Sequence, residues 1–279
     1  MAPPVTRAQR GIQSIEVGAR LLVALANHGG AMALKDIARE AGMAAAKAHP
    51  YLVSFGRAGL IEQDEASGRY FLGPLALQLG MISLQQSDPV HVATPLIAEL
   101  AQQSGHTVAL AVWASRGATI VRVEESPAAV HVNMRHGTVF SLTDTASGRL
   151  FAAYLDAAVI KAMLESERRR EKAERGTVRP ATGMPSPRAL PGWKEFEPQL
   201  AAVRESVRRQ GLSRSEGEVV QGINAMAAPV FDHTGAMVLC ITTIGPAGTF
   251  DTAPTGALAQ SLKACAAQVS QRLGAPELR

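Results

Sequence analysis

The chain of 279 residues is long enough for two domains with a core in each, and its 47% hydrophobic and 19% charged content is that of an ordinary globular protein. There is no apolar run of about 18 residues, and Met1 to Gln9 lacks the hydrophobic centre of a secretory signal, so neither a membrane span nor export is expected and the cytoplasm is the expected compartment. A net charge of +4 permits nucleic-acid binding without demanding it.

Residues 1–10 read as a flexible arm with two prolines and few apolar side chains. Its Arg7 and Arg10 either enter a minor groove or stay solvated. Residues 11–73 then carry short helices and a hairpin. Ser14 is the expected N-cap of a support helix whose stripe is Ile15, Ala19, Leu22, Leu25 and Ala26, ended by Gly29-Gly30. Leu34, Ile37, Ala38 and Ala41 form a second period that stops at Gly42, a residue suited to a left-handed cap. Ala48, Tyr51, Leu52 and Phe55 form a third, closing near Gly56 and Gly59. Leu60-Ile61 and Tyr70-Phe71-Leu72 face each other across the turn-rich Asp64 to Gly68. Helix, tight turn, helix and hairpin make a winged helix-turn-helix, a unit that holds one helix in a DNA major groove.

Residues 1–80 carry eight basic and six acidic side chains, so placement says more than sum. Arg7, Arg10, Lys47, Arg57 and Arg69 fall on the arm, the reading helix and the wing, where phosphates lie. The reading helix offers alanines around Lys47, His49 and Tyr51, which are the candidates for base edges, although Tyr51 also suits a core and His49 a bystander. Arg57 and Arg69 suit phosphate better than bases. Pro50 removes the bond to the Ala46 carbonyl and crowds it, so a kink or restart is expected near His49.

Residues 74–88 form one helix with Leu75, Leu79, Ile82 and Gln86 on a face, a connector and dimer contact or a helix packed on its own domain. Residues 89–275 make the second domain. A helix from Val92 to Ala101 precedes alternating segments at Val108-Leu110-Val112, Ile120-Val121-Val123 and Val130-Val132-Met134, which predict an antiparallel sheet. Helices follow over Ala146 to Leu155, from Val159 to about Arg170, and around Leu200, Val203 and Val207, with a polar, proline-rich stretch between Glu165 and Pro191. Strands Ala225 to Phe231 and Met237 to Ile244 join at Asp232-His233-Thr234-Gly235, and Leu258, Leu262, Cys265, Val269 and Leu273 place a last helix on the sheet. Cys240 and Cys265 sit in apolar surroundings without ligand spacing and read as buried reduced thiols, so no metal and no cofactor are expected. The fold class is α+β.

Three segments resemble the IclR family of bacterial transcriptional regulators. Ile12-Gln13-Ser14-Ile15 through Arg69-Tyr70-Phe71-Leu72-Gly73-Pro74 is similar to its winged helix-turn-helix, and Gly137 to Ala153 to the loop and helix over its effector pocket. Most specific are Gly211, Ser215, Glu218, Ala225-Met226-Ala227 and Val230-Phe231-Asp232, at the spacing of the family signature. The resemblance implies a GAF-like effector-binding domain, a homodimer or dimer of dimers, and control of catabolic operons. It also implies ligand-contacting amides at Ala146 and Ser147, a polar side at Ser215, Ala225 and Thr242, and an apolar wall of Val132, Phe140 and Ile223. Where many members of the family have serine or threonine and then arginine, this chain has Ala46, Lys47 and Pro50.

A helix starting after Asp144-Thr145 directs the amides of Ala146, Ser147 and Gly148 toward the sheet, which favours a carboxylate unless Asp144 or Thr145 caps them. The expected partners are therefore double-stranded operator DNA and a small organic acid effector, with no membrane. A DNA-binding regulator without an effector differs only in the pocket. A hydrolase, with Ser147 as nucleophile and His136 or His233 as base, finds no support: no nucleophile elbow, phosphate loop or His-Glu-x-x-His occurs, and the seven histidines are scattered singly.

Overall fold

A computed structural model describes residues 11–86, 88–125, 134–175 and 190–276. The chain divides into two units, residues 1–87 and 88–279. Arg7, Arg10, Val130 and Val132 lie outside the described residues.

In the first unit, α1 (Gln13–His28), α2 (Leu34–Glu40) and α3 (Ala45–Arg57) precede a hairpin of β1 (Ile61–Gln63) and β2 (Tyr70–Leu72), and α4 (Pro74–Gln86) ends it. Leu21, Leu25, Ile37, Leu52, Ile61 and Tyr70 form its buried centre. Two expectations for α1 fail. Its N-cap is Ile12, with no side-chain cap, and Ser14 lies inside the helix. The expected stripe fails in part: Ile15 is 67% exposed and Ala19 and Ala26 are exposed, but Leu22 is half-buried against the core and Leu25 is buried with Gly18, Leu21 and Ala24. Gly18 explains the choice of face: a Cβ there would lie 2.8 Å from the Phe55 ring, so α1 and α3 can close only on the glycine side. Gly42 takes φ +67°, and the Met43 amide returns to the Ala38 carbonyl at 2.9 Å, closing α2 as the left-handed cap requires. The wing turn is fixed by Asp64, whose carboxylate accepts from the Ser67 amide and hydroxyl, both at 2.6 Å.

No restart occurs near His49: α3 is one α-helix with Pro50 inside it. Ala46 and Pro50 are both exposed, so water can serve the Ala46 carbonyl.

The second unit holds α5 (Pro89–Ser104), β3 (Thr107–Ala114), β4 (Gly117–Glu124), α6 (Ala146–Tyr154), α7 (Ala157–Arg175), α8 (Trp193–Gln210), β5 (Ser213–Glu216), β6 (Ile223–Phe231), β7 (Met237–Pro246) and α9 (Ala257–Arg272). The strands run β4-β3-β7-β6-β5, each neighbouring pair antiparallel. Of the third alternating segment only Met134 falls among the described residues. Met134 lies outside any strand, and residues 137–140 meet the edge of β4 instead: Gly137 and Phe140 donate to the Ile120 and Ala118 carbonyls at 2.8 and 2.7 Å.

The two faces of the sheet differ in bulk. On one, α5 and α9 cover Val108, Leu110, Met226, Val230, Leu239 and Ile241. On the other, the residues beneath α6 and α8 are mostly small: Ala111, Ala118, Ala225, Ala227 and Cys240. Both cysteines are free and buried, and burial pushes each thiol up to about 11.

Candidate nucleic-acid and effector sites

On α3, Ala48 and Leu52 are buried while Ala46, Lys47, His49, Pro50, Val53, Ser54 and Arg57 are exposed. Lys47, His49 and Arg57 are thus each open to solvent. Tyr51, open between a base edge and the core, is half-buried against the core, and its ring borders Gly18 of α1. Arg69 stands exposed at the wing, its guanidinium donating to the Ala31 carbonyl at 3.4 Å. Sequence periodicity missed Val53, 39% exposed, which gives the outer face an apolar group of the kind that meets a thymine methyl. No residue-type signal marks it, because a valine in a helical stripe reads as core.

The second site gathers at the start of α6. Thr145 is the N-cap: its hydroxyl accepts from the Gly148 amide at 2.9 Å and donates to the Ser141 carbonyl at 2.7 Å. Of the three amides expected to be free, that of Gly148 is therefore capped, which leaves those of Ala146 and Ser147. Gly148 itself is dictated by crowding, since a Cβ there would fall 2.0 Å from the Ser141 carbonyl oxygen. The loop before α6 thereby lies directly on its first turn.

Around that turn the predicted residues meet. The Ser147 and Thr242 hydroxyls are 2.8 Å apart, and Thr242 also lies 3.6 Å from the Cys240 sulfur. Ser215 pairs with Ala225 across β5 and β6 and donates its hydroxyl to the Asp144 carbonyl at 2.8 Å. Phe140 packs with the small residues under α6. Ile223 opens β6 opposite Pro246, at the end of the sheet.

Three further side chains organise this region. Arg149, on the first turn and a half of α6, donates to the Thr143 carbonyl at 2.8 Å and the Arg214 carbonyl at 3.0 Å and forks onto both oxygens of Glu218. A cation near a helix amino end opposes the dipole, so acceptors must be brought to it, and that mismatch is the one sequence signal for Arg149. Arg204 of α8 donates to the Ala152 and Leu155 carbonyls at 3.2 and 2.5 Å, serving the other end of α6. On α7, burial pushes the Glu167 carboxyl up to about 7, with Arg170 opposing and Asp144 adding to the rise.

A helix-turn-helix with a hairpin wing, followed by an antiparallel sheet covered by helices, is the architecture of a DNA-binding transcriptional regulator with a second domain. The chain belongs to the IclR family: residues 14–65 match the IclR helix-turn-helix domain, and residues 81–185 and 194–271 match the bacterial transcriptional regulator IclR C-terminal domain. It is similar to the glycerol operon regulatory protein of Streptomyces griseus, 32% identical over 95% of this chain and 98% of that one. To the transcriptional regulator XynR of Escherichia coli it is 25% identical, over 95% and 98% of the two chains. Among solved structures, Pseudomonas aeruginosa HmgR matches with a TM-score of 0.78 and 32% identity, covering 96% of this chain and all (100%) of that one. The protein is a DNA-binding regulator and not an enzyme. Among the described residues, no helix is long and apolar enough to cross a membrane.

Proposed function

We propose that this regulator senses a small carboxylic acid in its second unit and controls a catabolic operon through its winged helix. The observation that carries the reading is the buried start of α6, where Ala146 and Ser147 are each 1% exposed over the small side chains of Ser215, Ala225 and Thr242. Two uncapped amides at a helix amino end favour an anion, and the floor beneath them is of small residues. The name of the Streptomyces relative, a glycerol operon regulatory protein, supports a catabolic target.

Outward Lys47, His49 and Arg57 enter the groove region, and Arg69 of the wing meets phosphate. The chain pairs with a second copy, as reading helices that must match two half-sites require. Apolar side chains available for pairing are Ile12, Ile15 and Val23 on α1 and Leu77, Leu79, Met81 and Ile82 on α4, all exposed. A differential affinity of the acid for two arrangements of the pair, worth about 1–3 kcal/mol, is enough for a switch.

A second reading, a regulator with no small-molecule effector, is favoured by the internal pairing of Ser147 with Thr242 and of Ser215 with Asp144. Mobility shift on DNA upstream of the gene, with and without aliphatic and aromatic acids, tests both. Retarded DNA whose retardation changes with an acid supports the sensor. Retardation indifferent to every acid that also leaves the melting temperature unmoved supports the second reading.

A further inference from the structure

Residues 217–222 join β5 to β6 and leave the sheet at the end where Ile223 meets Pro246. Both ends of this loop are left-handed glycines, Gly217 at φ +68° and Gly222 at φ +81°. Between them Val219 and Val220 are 60% and 55% exposed. The backbone ties of the loop sit at its base: Gly217 donates to the Ile223 carbonyl at 2.9 Å, Ile223 to Val220 at 3.0 Å, and Ala247 to Gly222 at 2.8 Å. Among the described residues, the side-chain tie from the loop to α6 is Glu218, which receives the fork of Arg149.

This tie crosses the place where an effector would arrive. Ser215, two residues before the loop, touches the Asp144 carbonyl, and Arg149 follows the buried Ala146-Ser147-Gly148 turn. A loop rooted at Glu216 and Ile223 and fastened to Arg149 ties that end of the sheet to the first turns of α6. Its fastening is the stronger kind of ion pair: bidentate, with the Arg149 side chain 23% exposed and already held by the Thr143 and Arg214 carbonyls, so little further ordering is needed to bind Glu218. A glycine at each end lets the segment swing without distorting either strand.

We propose that residues 217–222 are a lid over the effector cleft and that the Arg149–Glu218 pair is its latch, with Glu218 a positioning residue that sets how fast small anions enter and leave. The cleft is that of the sensor reading above, on which the lid rests; the latch stands by itself. Closing the lid excludes water from the anion end of α6, which strengthens any contact made there.

Glu218→Gln in the full-length protein removes the charge and keeps the shape, whereas a change at Arg149 would also release the Thr143 and Arg214 carbonyls. Hydrogen exchange without any added acid reads the latch. Amides of 217–223 exchange about fivefold faster in Glu218→Gln, those of β6 from Met226 onward do not change, and Glu218→Asp recovers most of the protection. Equal exchange in wild type and Glu218→Gln overturns the latch. Stopped-flow association of 8-anilinonaphthalene-1-sulfonate, a fluorescent aromatic anion, reads the lid. Faster association in Glu218→Gln supports it, and faster exchange with unchanged association overturns it while leaving the sensor reading intact. No association in either protein overturns lid and sensor together.

Discussion

The hydroxyls of Ser147 on α6 and Thr242 on β7 lie 2.8 Å apart, each on a side chain only 1% exposed. Each is the other's partner in a region otherwise lined by alanine and cysteine. Removing one hydroxyl leaves the other with only the weak Cys240 thiol, and a poorly satisfied buried hydroxyl costs about 1–3 kcal/mol. Thr242→Val, close in shape, is expected to lower stability by that amount. The double variant Ser147→Ala/Thr242→Val should lose less than the sum of the singles, because it strands nothing. Calorimetric melting of the four proteins checks this, and additive losses would show that the bond is not a unit.

Pro50 sits in the interior of α3, on its exposed face, where it leaves the Ala46 carbonyl to solvent. Pro50→Ala supplies the missing amide. A helix-interior proline costs roughly 3 kcal/mol, of which about 1 is returned through a stiffer unfolded chain, so the variant should gain about 2 kcal/mol. Urea unfolding followed by circular dichroism measures the gain. A loss would mean that the proline ring has a packing role on this face.

Lys47, His49 and Arg57 are all exposed, yet they should fail differently. Lys47→Ala and Arg57→Ala remove phosphate partners, so each should weaken binding to all sequences alike and flatten the slope of log affinity against log salt by about 0.9. His49→Ala should leave the slope alone and narrow the gap between operator and random duplex. Fluorescence anisotropy over a salt series separates the two patterns. A salt slope unchanged in Lys47→Ala and Arg57→Ala removes both from the phosphate contacts.

What the sequence made legible follows from how local each cause is. Gly42 and Gly211 end helices through a backbone conformation that needs no tertiary partner, and Asp232 shapes its turn with its own carboxylate, accepting from the Thr234 amide at 2.8 Å. These were readable. The direction of α1 was not, because apolar residues line both of its sides and only the approach of Phe55 to Gly18 selects the inner one. Strand β5 escaped notice because Ser213-Arg214-Ser215-Glu216 has no apolar member, although Ser213 and Ser215 are buried beside β6. The residues gathered around α6 were legible through the family spacing. The bonds of Arg149 and Arg204 were not, since their acceptors are carbonyls far away in the chain.

The outward stripe of α1 carries its own consequence. Ile12, Ile15, Ala19 and Ala26 are exposed, with Leu22 half-buried between them, and the five are spaced alternately by three and four residues, the repeat that lets two helices pack along a seam. Ile15 is 67% exposed in the single chain, so Ile15→Glu leaves the fold unharmed. It should shift the protein from dimer toward monomer in sedimentation velocity and weaken binding to a two-half-site operator more than to one half-site. An unchanged sedimentation coefficient would remove α1 from the pairing surface.

Glu167 sets a pH dependence whose sign can be worked out. Its carboxyl is pushed from an ordinary 4.5 to about 7, chiefly by burial, with Arg170 pulling it down and Asp144 pushing it up. Between those values the folded chain holds a proton that the unfolded chain has released, so stability falls as pH rises from 4.5 to 7 and is level above that. The full linkage is discounted for the solvent that reaches this half-buried side chain, which leaves on the order of 1–2 kcal/mol. Glu167→Gln removes the ionisation and keeps the shape. It should raise the melting temperature at pH 8, where wild-type Glu167 is charged, and do little at pH 4.5, where it is neutral. Thermal melts of both proteins across that range decide it: a constant difference at every pH would place the effect in packing and not in the proton.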